Sequence, residues 1–207
     1  MLQVLAGVKA DPASYVLPKE LTAVVNDLSS DMPTHMLAVY SRDVPATTRR
    51  RVTLFPIHNI ILATHCANIP ILPKSNVVRP DTPGSVVSLP VVPLCIPAPD
   101  VFSHLSTFLY TKRIDHLLAT LLPCPVPHAL YLGDPKSERV LDLLQKFADR
   151  LATNHSTQTL FSHMMAVNGL WRNACALGIN DENLWCALDV AWEVLIIALT
   201  VSTGQQL

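Results

Sequence analysis

Proline placement constrains this chain more than any other feature of its sequence. Thirteen of the seventeen prolines fall at or before Pro99, eight of them between Pro70 and Pro99, and the last is Pro135. Interior proline removes a backbone donor and breaks a helix, so residues 70–99 are expected to be loop, turn and short edge strand. The final 72 residues contain no proline. Three helices fit there, separated by glycine or polar breaks.

The first, about Lys136 to Thr153, sets Val140, Leu143, Leu144, Phe147 and Leu151 on one face and Asp142, Lys146, Asp149 and Arg150 on the other, the 3.6-residue period of an amphipathic helix. The second, about Thr157 to Ala176, carries the stripe Leu160, Met164, Val167 and Trp171, with Gly178 as its stop. The third starts after Asn180 or Asp181, either able to cap it, and runs to about Ser202. Its stripe is Leu184, Leu188, Ala191 and Leu195, with Trp185, Trp192, Ile196 and Leu199 alongside. Leu184 to Val201 is apolar enough to resemble a membrane span. Asp189 and Glu193 sit inside it, however, and charge near a bilayer centre is costly, so a buried helix is expected.

The proline-rich half reads as short elements. Met36 to Tyr40 and Val52 to Phe55 have the composition of strands, joined by a polar connection, and Asn59 to Ala67 reads as a short buried helix. Val86 to Leu89 is a further strand. Pro99-Asp100 opens a helix with Val101 or Phe102, Leu105, Phe108 and Leu109 on its apolar face, and a short helix follows at Ile114 to Leu122. Strands and short helices followed by longer helices make an α+β fold.

Composition narrows the function classes. A mean hydropathy of +0.33 with 15% charged residues is too apolar for a disordered chain. A net charge of −1 gives no bulk field for non-specific nucleic-acid binding, so no direct nucleic-acid contact is expected. The N-terminal run MLQVLAGVKA is short and has no basic residue before it, unlike a secretory leader. The five cysteines, Cys66, Cys95, Cys124, Cys175 and Cys186, are odd in number and scattered, and are read as buried free thiols in a reducing compartment.

Chemistry-bearing constellations are sparse. There is no Cys-x-x-Cys and no His-Glu-x-x-His, and His65-Cys66 and Cys124-x-x-x-His128 supply two ligands each where zinc wants four. Six glycines leave neither a nucleophile elbow nor a phosphate-cradling loop. Ser103 and His104 are helix neighbours and do not face one another. No catalytic residue, metal or cofactor is therefore expected, and the chain is not read as an enzyme. Arg49, Arg50 and Arg51, with Arg42 nearby, form the one basic run, either a solvated loop or a nuclear-import or acidic-partner patch. From Leu151 onward only five of 57 residues are charged, and Trp171, Trp185 and Trp192 all fall there. Those aromatics serve either as core anchors or as partner-binding residues.

Two segments resemble the BTB/POZ signature. One is Phe55-Pro-Ile-His58-Asn-Ile-Ile61-Leu62-Ala63-Thr-His-Cys66, a strand entering a helix with a Leu-Ala pair. The other is Phe102 to Thr111, ending in Phe-Leu-Tyr-Thr before Lys112. This resemblance covers about Thr34 to Leu122, and the one candidate for an N-terminal dimerising helix is Pro18 to Leu28. The whole chain is similar to the clampless-type proteins of mushroom-forming fungi, through Val91 to Pro123 and Leu170 to Leu195.

That similarity implies a nuclear, otherwise cytoplasmic, regulator of sexual development needed for clamp-cell formation in the dikaryon. It would act through protein partners such as nuclear transcription regulators, or through a homodimer, and not through a membrane. The expected architecture is an N-terminal segment at 1–33, a BTB/POZ-like α+β region at 34–127 and a C-terminal helical region at 128–207 packed on it as one compact body. The competing expectations are a BTB-type adaptor for a cullin ubiquitin ligase and a small enzyme using His58, His65, Cys124 or His128.

Overall fold

The computed structural model describes residues 5–9, 17–29, 31–43, 51–134 and 136–204. It divides into two compact units, Met1–Pro99 and Asp100–Leu207. Among the described residues, the first holds five strands, β1 (Leu5–Lys9), β2 (Glu20–Val25), β3 (His35–Ser41), β4 (Val52–Ile57) and β5 (Ser85–Ile96), and one helix, α1 (Asn59–His65). The second holds α2 (Phe102–Thr111), α3 (Ile114–Leu121), α4 (Ala129–Leu132), α5 (Glu138–Asn154), α6 (Thr157–Leu177) and α7 (Glu182–Thr203). The fold is α+β, as the sequence predicts.

The sheet of the first unit runs in the order β1-β2-β5-β3-β4, with β3 and β5 parallel and the other pairs antiparallel. Its long strand changes partner midway. Residues Ser85 to Pro90 pair with β2, and Val91 to Ile96 pair with β3. This explains how Pro90 and Pro93 sit inside a strand. Val91 N–H donates to the Lys19 carbonyl, so odd-numbered residues of β5 turn their amides toward β2 and even-numbered ones toward β3. Pro93 therefore faces the β2 side, past the last β2 pair at Glu20. Pro90 faces the β3 side, before the first β3 pair at Val91. Neither position has a ladder bond to lose. Pro56 lies on the edge strand β4, where proline is tolerated.

Several expectations need correction. The prolines at 90 and 93 do not end the strand, which covers Ser85–Ile96 and not only Val86 to Leu89. The candidate helix at Pro18 to Leu28 is instead strand β2, with Leu21, Ala23 and Val25 buried in strict alternation. Helix α1 buries only Leu62, and Ile60 is 61% exposed, so it is a surface helix with one anchor. The five cysteines are free, as expected, but only Cys66 is buried. Cys95 is exposed because it alternates with buried Leu94 and Ile96 along β5.

One face of the sheet packs Leu21, Ala23, Met36, Ala38, Leu89 and Val91 together, with Leu54 and Val77 against them. Val77 belongs to the segment between α1 and β5, which His35 also holds. The buried His35 ring places Nε2 2.8 Å from the Pro73 carbonyl and Nδ1 2.8 Å from Thr34 Oγ1. In the second unit, α7 is the central helix. It packs on α5 and α6, with smaller contacts to α3 and α4, and buries Leu184, Ala187, Leu188, Ala191, Val194, Leu195 and Ala198. It is long and apolar enough to cross a membrane by length and composition, with a mean hydropathy of 2.0. Asp189 and Glu193 are exposed on the side away from its buried stripe.

Candidate interaction face

Helices α6 and α7 carry all three tryptophans, and their termini are fixed by side chains that the sequence supplies at the right places. Ser156 Oγ accepts from the Thr159 amide at 3.2 Å to cap α6. Gly178 ends that helix in the left-handed region at φ 64°, where glycine carries no Cβ penalty. Asp181 accepts from the Leu184 amide at 3.1 Å and so caps α7. It also takes a 2.8 Å hydrogen bond from Lys112 Nζ at the end of α2.

The buried face of α6 is Leu160, Val167, Gly169, Leu170, Asn173, Ala174 and Leu177. This arc is rotated from the expected stripe, since Trp171 turns outward at 49% exposure and Met164 is only partly buried. Apolar residues surround α6, so more than one stripe satisfies the helical period and the sequence pattern does not choose between them. The outward face that results is unusual. Phe161 is 50% exposed and Met165, one turn on, is 53% exposed, with Trp171 and the exposed Cys175 on the flank. Arg172 is the single Asp, Glu, Lys or Arg in α6.

Trp185 and Trp192 lie seven residues apart on one side of α7. Trp185 is partly buried and Trp192 is 38% exposed, next to exposed Glu193. Two of the three tryptophans thus share a flank of α7, and the third belongs to α6. Phe161 and Met165 were missed as surface residues. The available signal was the scarcity of charge on α6, where Arg172 is the single Asp, Glu, Lys or Arg. Of the basic run, Arg49 and Arg50 lie outside the described residues, while Arg51 and Arg42 are exposed.

The residues with catalytic or ligating chemistry are dispersed. Among the described residues, no group of three His, Cys, Asp or Glu side chains is placed to hold a metal ion. Cys124 is partly buried and His128 is exposed, its ring tilted against Tyr131 at 5.6 Å. His104, Thr107, Phe108, Arg113, His116, Leu117 and Thr120 line an open depression of about 20 Å³, room for a water or two where small-molecule sites measure hundreds of Å³. Burial, and then the nearby His116, holds the His104 imidazole below its ordinary pKa. The Arg113 hydrogen bond to Asp115, at 2.5 Å, holds that carboxyl at about 2.

The chain was compared with protein families, curated proteins and solved structures. Residues 1–97 match the model of the Clampless protein 1 N-terminal domain, and residues 115–207 match that of the Clampless protein 1 C-terminal domain. No curated protein and no solved structure gave a significant match.

Proposed function

The chain belongs to the Clampless protein 1 family, and from that premise we propose that it is a non-enzymatic protein–protein interaction factor in fungal sexual development. Membership implies a role in forming clamp connections, and the family is one of developmental regulators and is not a known enzyme family. The molecular step is our reading. The observation that carries it is the outward face of α6, where Phe161, Met165 and Trp171 are each about half exposed on a helix with a single charged residue. Exposed aromatic and methionine side chains of this kind are enriched at the centres of protein interfaces. Trp192, on helix α7, is also partly exposed and is a further candidate contact.

The partner is a protein that presents an apolar patch to that face, and a nuclear transcription regulator fits a developmental role. Arg49, Arg50 and Arg51 then serve as an import signal. The succession of β4, α1, β5 and α2 supports a BTB-like reading of residues 34–122, because it follows the order of the two motifs there.

The test is to tag the protein, express it in a basidiomycete dikaryon and identify what co-purifies at moderate salt. Wild type is compared with a Phe161→Ser, Met165→Ser, Trp171→Ser variant whose folding is verified by circular dichroism. Nuclear regulators recovered with wild type and lost from the variant are the expected result. A set of partners unchanged by the variant would sink the α6 face as the binding surface. Cullin components in its place would favour the ubiquitin-ligase adaptor.

A further inference from the structure

Thr82 stands apart in a chain with seventeen prolines. It is the one serine or threonine in the whole sequence that is followed directly by proline, as Thr82-Pro83. Proline-directed protein kinases recognise this dipeptide, and the proline disfavours the α conformation for the residue before it. A kinase also needs a hydroxyl it can reach on a stretch of backbone that belongs to no helix or ladder. The structure meets both needs here. Residues 66–84 form no helix or strand, and Asp81, Thr82, Pro83 and Gly84 are all exposed. Arg79, three residues before the threonine, is exposed as well.

From these observations we propose that Thr82 is a phosphorylation site for a proline-directed serine/threonine kinase. In the transfer, Thr82 Oγ1 bonds to the γ-phosphorus of ATP, the bond from that phosphorus to the β–γ bridging oxygen breaks, and ADP leaves. The hydroxyl proton passes to the kinase base. The product carries about −1.5 to −2 charges at neutral pH on a chain whose net charge is −1.

The position gives this charge a local consequence. Ser85 Oγ donates to the Thr82 carbonyl at 2.7 Å, and the Thr82 and Ser85 hydroxyl oxygens are 3.0 Å apart. With the Ser85 proton already committed, the Thr82 hydroxyl is the donor of the second bond. Phosphorylation replaces that donor with an acceptor directly ahead of β5, where Gly84 turns at φ 84° and its amide bonds to the Val25 carbonyl at 2.7 Å. The modification therefore acts on the β2–β5 junction, and faster amide exchange at residues 84–86 accompanies it.

The experiment treats the folded full-length chain with ATP and, separately, with a cyclin-dependent and a mitogen-activated protein kinase. Intact mass and fragmentation then locate the phosphate. One phosphoryl group per chain on Thr82 is expected with at least one of them, lost in Thr82→Val and sharply slowed in Pro83→Ala. The proposal is overturned by no incorporation with either kinase, by incorporation undiminished in Thr82→Val, or by incorporation that requires urea-unfolded chain.

Discussion

Asp181 holds the start of α7 in two ways, as acceptor for the Leu184 amide and as partner of Lys112. Burial pushes its carboxyl up, but the Lys112 hydrogen bond and the Leu184 and Asn183 amides outweigh that and leave it below the usual 3.8. A carboxylate with a depressed folded pKa adds stability above its unfolded value, and that contribution is lost as pH falls through the folded value. Asparagine caps a helix about as well as aspartate, so Asp181→Asn isolates the charge. The variant is expected to melt below wild type at neutral pH, with the gap closing below about pH 4. A gap that persists unchanged into acid would show that the charge contributes nothing. Gly133 is constrained by space and not by backbone angle. A Cβ there would lie 2.5 Å from the Ala129 carbonyl oxygen and 2.8 Å from Val140 Cγ2. Backbone cannot yield as a flexible side chain does, so Gly133→Ala is expected to cost about 1–3 kcal/mol, read as a lower urea midpoint.

At the scale of elements, α7 depends on small residues. Ala187, Ala191 and Ala198 are fully buried on the stripe that faces its neighbours, and their size sets how closely the helices approach. Ala191→Leu adds volume at a fully buried position and should lower stability by about 1–3 kcal/mol, measured by thermal denaturation. An unchanged melting temperature would mean that the packing around Ala191 is loose. This stripe was legible in the sequence, because Leu184, Leu188, Ala191 and Leu195 are all buried as the helical period predicts. Strand β2 was as legible in principle, since Leu21, Ala23 and Val25 alternate, yet the BTB/POZ resemblance called for an N-terminal helix and Pro18 to Leu28 was its one candidate. The true length of β5 was not legible. Proline signals a broken ladder only where a ladder bond is due, and which bonds are due depends on which strands flank it. The candidate face was half legible, as Trp171 and Trp192 were weighed as partner-binding residues and are exposed, while the helical period singled out neither Phe161 nor Met165.

At the scale of the molecule, fold class followed from where proline stops, because 72 residues without proline admit long helices. Sheet order did not follow. Joining β3 in parallel to β5 brings Met36 to Val91 across 55 positions, a pairing that no local pattern encodes. The helical unit differs in this respect. Among the described residues of Asp100–Leu207, α2 packs on α3 and α6, α4 on α5 and α7, and α5 and α6 on α7, so every helix has partners within the unit. The unit also keeps its own caps, Ser156, Gly178 and Asp181, and the Lys112–Asp181 pair. A fragment of residues 100–207 expressed alone should therefore be helical by circular dichroism and melt in one cooperative transition. A helical fragment with a broad melt and bound hydrophobic dye would be a loosely packed state, and its core would then depend on the rest of the chain.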